Sequence, residues 1–259
     1  MNRGPVGVID SGIGGLTVLT EMIKKLPSED FIYHADTENA PYGNKRHAEI
    51  MGYTDNNIAK LLSLGCKAIV LACNTATAAA VEDMRIKYSS VNIIGLEPAL
   101  RPPLYDFPDM PVLVLATPLT LAEKRFTRLR SELEADSGKK FYCVPAQEIV
   151  EYTESPSRQR QKLINSLKKL LHPYESIRFP ACVLGCTHFP LAKPEISEAL
   201  GYMPRYYDGG NGAAKRLAFL LARDGLENDI SRRGKVIFTS QEFSYRAGQI
   251  MLDYYNKER

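Results

Sequence analysis

The chain has 259 residues, 44% of them apolar and 24% charged, a composition that supports a sizeable core and excludes wholesale disorder. A formal charge of +3 is small for this length and gives no electrostatic reason to expect nucleic acid or a membrane surface as a partner. No apolar run nears the roughly 18 residues needed to cross a bilayer.

The first residues, "MNRGPVGVID", enter a strand-like run at once and lack a signal peptide's apolar segment, which predicts a cytoplasmic location. "VGVID" (6–10) leads through "SGIGG" into a helical pattern with Leu16, Leu19, Ile23 and Leu26 on one face. "FIYHA" (31–35) reads as a strand, 47–64 as a helix, "KAIVLAC" (67–73) as a strand buried on both faces, "ATAAAVEDMRIKY" (76–88) as a helix and "NIIGLE" (92–97) as a strand. Five prolines between Pro98 and Pro111 break regular structure and mark a crossing between domains. The alternation then resumes with strands at 111–117, 140–145 and 180–186 and helices at 119–133, 158–171 and 212–223. Gly225 is placed to cap the last of these in a left-handed conformation, and "KVIFTS" (235–240) and a final helix close the chain. Apolar strands alternating with helices predict an α/β fold built on mostly parallel sheets.

The halves resemble each other. The first offers "VGVIDSG" and then "IVLACNTAT"; the second offers "VLVLATP" and then "CVLGCTHFP". Asp10 precedes Cys73 by 63 residues and Thr117 precedes Cys186 by 69, a pattern expected of a duplicated domain of about 100 residues. Parallel-sheet strands also resemble one another by composition alone. Two similar domains face to face would form a cleft at the C-terminal ends of their strands, where both Cys73 and Cys186 fall.

A thiol just before a helix gains from free N–H groups and the helix dipole, so both sulfurs are expected to have a pKa below the ordinary value of about 8.5. Asn74, Thr75, Thr187 and His188 supply donors beside them. Three chemistries use such thiols. A metal site could recruit Cys182, Cys186 and His188 with Cys66 or Cys73, but no C-x2-C is present and the cysteines lie in different halves, so no metal is expected. One nucleophilic cysteine with His188 as base leaves the second cysteine unexplained. Two thiols on opposite sides of one carbon can remove a proton from one face and return one to the other, inverting a stereocentre without a cofactor. "DSGIGG" (10–15) is neither a Walker A loop nor G-x-G-x-x-G, since Thr17 stands at the last position; its N–H groups suit a carboxylate. Asp10 could accept from a substrate ammonium or take its proton. "APYG" (40–43) is a turn whose backbone could clasp a carboxylate.

With "GVIDSGIGGLTVL", "ADT…PYG", "ACNTATA", "GLEPA", "GCTHFPL" and "YYDGG", the chain resembles the glutamate racemases of the aspartate/glutamate racemase superfamily. The resemblance implies two α/β domains related by a pseudo-twofold, an active site between them, and cofactor-independent interconversion of L- and D-glutamate that feeds peptidoglycan synthesis. The expected division is 1–97 with 208–259, and 98–207. By matching position, Cys73 would act on D-glutamate with help from Asp10, and Cys186 on L-glutamate with help from His188. Asp10, Ser11, Tyr42, Gly43, Asn74, Thr75, Thr117, Thr187 and His188 would hold the substrate, with Pro41 shaping the clasp. Glu148, in "VPAQE", would be the carboxylate that orients the histidine. His34 departs from the family's commoner pattern. The alternatives are a racemase of the same superfamily acting on aspartate or another amino acid, and a non-enzymatic amino-acid- or partner-binding protein, against which the two intact thiols argue. The expected partner is small-molecule glutamate, and the sequence leaves a homodimer open.

Cys66 and Cys143 are expected in the core, and His34, His47 and His172 on the surface or satisfied by neighbours. Arg158, Arg160, Lys162, Lys168 and Lys169 are expected on the solvated face of a helix, and Asp208 is expected to cap the following helix or a turn.

Overall fold

A computed structural model describes residues 4–240, 247–251 and 254. Its strands are β1 (Val6–Asp10), β2 (Phe31–Ala35), β3 (Ala68–Leu71), β4 (Asn92–Gly95), β5 (Val112–Ala116), β6 (Phe141–Pro145), β7 (Ala181–Gly185), β8 (Arg205–Tyr207) and β9 (Val236–Phe238). They form two sheets, ordered β4-β3-β1-β2-β9 and β6-β5-β7-β8, and every pairing is parallel. Read in the same direction, the second sheet runs β8-β7-β5-β6 and repeats the order β4-β3-β1-β2 of the first. The duplication seen in the sequence is therefore a repeat of topology: β5 stands for β1, β6 for β2, β7 for β3 and β8 for β4.

The strands are apolar along their whole length because helices cover both faces of each sheet. In the first lobe, Val6 and Val8 pack with Leu16, Leu19 and Met22 on one face, while Ile9, Ile69 and Leu71 pack with Ile58 and Leu61 on the other. In the second, Val112 and Val114 meet Phe126 and Leu133, and Leu113 and Leu115 meet Ile149 and Leu167. Strand alternation thus supplies two cores per lobe. β9 returns the chain to the first sheet, beside β2, and the helix Gly210–Arg223 packs on the helix Leu16–Lys25. Gly225 follows it with φ +62°, as its sequence position predicts.

Three differences from the sequence expectation stand out. The single helix expected at 119–133 is two, Pro118–Ala122 and Lys124–Ser137, parted at Glu123, whose backbone is extended. The break turns the Glu123 carboxylate onto His47 Nδ1 at 2.9 Å. The short helices Pro102–Asp106, Gln147–Glu154 and Lys193–Leu200, and the three-residue β8, are not predicted; each is too short to carry a clear period. The final helix is seen only at 247–251 and 254; its other residues lie outside the described ones. Among the described residues no helix is long and apolar enough to cross a membrane.

Candidate active site

Parallel strands deliver their following loops to one end of a sheet, and the two lobes bring those ends together. Asp10 closes β1 and Ser11 follows it, while Thr117 follows β5. Cys73 lies two residues beyond β3 and caps the helix Asn74–Lys87. Cys186 lies directly beyond β7. Since β7 is the counterpart of β3, the two cysteines occupy equivalent places in the two lobes, and so do Ser11 and Thr117, each the residue that follows its strand. Both thiols are buried, at 5% and 7% exposed, and charge on Cys186 is felt at Cys73.

Polar contacts between the lobes close over them. Thr187 Oγ1 donates to Asp10 Oδ1 at 3.2 Å, and Thr17 Oγ1 donates to the Thr187 carbonyl at 3.2 Å. Thr75 Oγ1 and Thr117 Oγ1 are 3.1 Å apart, and Thr117 Oγ1 accepts the Thr120 N–H at 3.3 Å as a helix cap. Glu154 Oε1 accepts the Ile13 N–H at 2.8 Å and lies 2.6 Å from His188 Nε2. The glycine-rich turn permits this approach: a Cβ on Gly14 would lie 2.5 Å from both His188 Nδ1 and Thr187 Oγ1.

Each thiol has its own neighbour. Ser11 Oγ is 3.8 Å from Cys73 Sγ, and His188 Nδ1 is 3.6 Å from Cys186 Sγ. Burial works against charge on His188, but its hydrogen bonds to Cys186 and Glu154 prevail and hold its pKa well above the ordinary histidine value. Burial raises the Asp10 pKa, against the opposing influence of His188 and the Gly12 and Gly15 N–H groups. Cys73 overturns the expectation of a lowered pKa. Burial, with the Asp10 charge adding to it, pushes the thiol up to about 12, and the Ala76 N–H at the helix start only partly offsets this. Desolvation outweighs the helix terminus here.

The clasp "PYG" is held from behind. Tyr42 OH donates to Asp36, and Asn57 Nδ2 donates to Asp36 Oδ2 at 3.1 Å. His34 Nε2 lies 3.1 Å from Asn57 Oδ1, and its Nδ1 lies 2.7 Å from Thr239 Oγ1. The unusual His34 is thus a satisfied buried histidine within a network that fixes Tyr42. The Tyr42 ring packs with Cys73, Ala76 and Ile50, Gly43 is buried and Pro41 is exposed.

Glu148 is the main correction. It does not orient His188: its Oε1 accepts from Ser166 Oγ at 3.3 Å, at the opposite end of the helix from Glu154, which faces the histidine. The helix begins at Gln147, so Glu148 sits in its first turn, and a carboxylate six residues later reaches the cleft instead. No motif marks Glu154. Gln147, buried beside the clasp, was equally silent in the sequence. Asn74 and Thr75 are buried at the start of their helix, and Asn74 Oδ1 has no protein partner.

The remaining features play structural parts. Cys66 and Cys182 are buried in separate cores, and half-buried Cys143 lies against a third. Exposed His172 pairs with Glu175. Arg160 bridges Glu195 and Glu198, and Lys162, Lys168 and Lys169 are exposed. Asp208 Oδ1 accepts the Gly210 N–H at 2.9 Å where the next helix begins. Among the described residues no cluster of three or more His, Cys, Asp or Glu side chains could hold a metal.

No family model matches the chain. Comparison along the whole sequence is informative: the glutamate racemase of Clostridium novyi is 43% identical over 241 residues, covering 93% of this chain and 92% of its own. The crystal structure of a glutamate racemase isoform from Bacillus anthracis has a TM-score of 0.80 at 25% identity, covering 96% of this chain and 94% of that one. The glutamate racemase of Francisella tularensis, solved in complex with D-glutamate, has a TM-score of 0.77 at 25% identity, covering 97% and 95%. Likeness of this extent, on a fold whose repeated halves carry one thiol each, shows that the chain belongs to the glutamate racemase family.

Proposed function

We propose that this chain interconverts L- and D-glutamate in the cytoplasm, without a cofactor, and so supplies D-glutamate for peptidoglycan. The observation that carries this reading is the placement of Cys73 and Cys186 at equivalent strand ends of two facing lobes. Family membership favours glutamate over aspartate.

Cys186 acts on L-glutamate and Cys73 on D-glutamate. In the L-to-D direction Cys186, with His188 Nδ1 3.6 Å away, serves as the base, and Cys73, which burial keeps protonated, serves as the acid. The Cα proton of L-glutamate passes to Cys186 Sγ, the electron pair left on Cα delocalises into the α-carboxylate, and the Cys73 proton is delivered to the opposite face. Cys73 is then a thiolate and Cys186 a thiol, which is the state required for the reverse reaction. Asp10 and Ser11 serve Cys73. The N–H groups and side chains of Asn74 and Thr75, with Thr117, Thr187 and the Gly43 backbone, hold carboxylates at helix starts, where a negative charge is favoured. Asp10 faces the ammonium.

Both thiols are buried, so substrate entry requires the lobes to part. The proposed division, 1–97 with 208–259 against 98–207, puts both chain crossings at the same hinge. The return of β9 to the first sheet supports it. The test is incubation of each glutamate enantiomer in D2O with no added cofactor, following Cα deuteration and optical rotation. Deuteration with loss of rotation is expected from either enantiomer. Absence of exchange with both would end the glutamate reading, and a parallel run with aspartate tests the alternative.

A further inference from the structure

Gln147 is the first residue of the helix Gln147–Glu154, which follows β6 at the cleft end of the second sheet. It is only 9% exposed, yet neither its Oε1 nor its Nε2 has a hydrogen-bond partner. A carboxamide carries two donors and an acceptor, and folded proteins rarely leave such a group buried and unpaired. The place of this one is specific. A Cβ on Gly43 would stand 2.2 Å from Gln147 Oε1 and 3.2 Å from Thr117 Cβ. The amide therefore lies between the clasp turn of the first lobe and the strand-end threonine of the second. With the amide in this place, position 43 has no room for a Cβ.

The two ends of this helix mark two ends of the cleft. Glu154, at its far end, binds His188 and the Ile13 N–H, beside Cys186 and the Asp10 cluster where the ammonium and reacting carbon belong. Gln147 lies seven residues back, about 10 Å along a helix, among Gly43, Thr117 and Thr75. From the unpaired amide and this separation we infer that Gln147 binds the side-chain carboxylate of glutamate, Nε2–H donating to it, and so selects substrates that carry an acid there. The inference rests on the racemase reading. A neutral donor suits the position, since it recognises the carboxylate in both enantiomers without adding a fixed charge beside the thiols.

The experiment compares the full chain with Gln147→Met and Gln147→Glu. The unaltered chain must first exchange the Cα hydrogen of glutamate; if it does not, the racemase reading itself fails. Given exchange, Gln147→Met should raise KM for both enantiomers about 10- to 100-fold, the worth of a hydrogen bond to a charged group, with kcat changed less than about threefold. Gln147→Glu should be worse at about pH 8 than at about pH 6, where protonation of the new carboxyl relieves repulsion. Without glutamate, Gln147→Met should melt no lower than the unaltered chain, because it removes a buried unpaired amide, while the rise in Tm produced by glutamate should shrink. The inference is overturned by KM within about twofold, by a loss confined to kcat, or by a lower Tm for Gln147→Met without glutamate, which would make Gln147 a packing residue.

Discussion

Replacing Glu154 by glutamine tests the link between the lobes and the thiol chemistry. Glu154 Oε1 faces His188 Nε2 at 2.6 Å and accepts the Ile13 N–H at 2.8 Å. An amide oxygen still accepts from Ile13, so closure survives Glu154→Gln, but the charge opposite the imidazole is lost. A hydrogen bond to a charged group contributes about 1.5–3 kcal/mol. At about 1.4 kcal/mol per factor of ten, kcat/KM should fall about 10- to 100-fold. L- and D-glutamate have equal free energies in water, so both directions must fall by the same factor. The asymmetry lies in the isotope effect: deuterium at Cα of L-glutamate, whose transfer to Cys186 depends on His188, should become more rate-limiting than deuterium in the D enantiomer. The pH profile moves as well. Glu154 is one cause of the raised His188 pKa, so the alkaline limb should shift to lower pH in the variant. Linkage has the same sign. A histidine raised above its unfolded value of about 6.5 contributes stability that is complete below that pH and is lost as pH rises through the folded value; in the variant that contribution is smaller and is exhausted at a lower pH. Following racemisation by optical rotation with Cα-protio and Cα-deuterio substrates across pH measures both effects. A kcat/KM within about twofold of the unaltered chain, with the alkaline limb unmoved, would refute the reasoning.

Single-thiol variants should separate the faces. Cys73→Ala should abolish net racemisation by more than the factor of about 10²–10⁴ usual for loss of one acid or base, yet still wash deuterium out of Cα-deuterated L-glutamate, and Cys186→Ala should do so only with the D enantiomer; wash-out from the opposite enantiomer in either variant, measured by NMR in H2O, would reverse the assignment. A third prediction concerns stability. Lys67 Nζ donates to Glu29 Oε2 at 2.6 Å with both side chains buried, and to the Leu226 carbonyl at 2.7 Å, while Glu29 Oε1 accepts the Asn228 N–H at 2.7 Å. Glu29→Ala leaves the ammonium buried without its counter-charge and should cost about 3–5 kcal/mol in urea denaturation; a loss below about 1 kcal/mol would show that the pair is replaced by solvent.

The strands and the thiol positions were legible because their signals are local. An apolar run that ends in Cys73 or Cys186 is visible in seven residues, and a period of three to four marks the helix Leu16–Lys25. The helix Gln147–Glu154 was not legible, and with it went Glu154 and Gln147. Eight residues hold barely two turns, and what makes these side chains matter is the glycine turn of the other lobe, 141 residues from Glu154 in sequence. Glu148 was expected at the histidine from a motif alone; the helix beginning at Gln147 carries it toward Ser166 instead.

The Cys73 pKa failed for a related reason, and the failure bears on mechanism. A helix start is visible in sequence and favours a thiolate, whereas burial by an opposing lobe is a tertiary effect and favours the thiol. With the lobes closed, burial wins at Cys73 and the neighbouring Asp10 charge reinforces it, while Cys186 has a charged imidazole at hand. A two-base enzyme needs one thiol and one thiolate at any moment. Two identical environments would leave that choice to chance; unlike neighbours assign it. The equal energies of the enantiomers constrain the ratio of forward and reverse kcat/KM but not the resting protonation. A duplicated fold can therefore keep the symmetric placement of its sulfurs and still rest with one of them loaded as the acid.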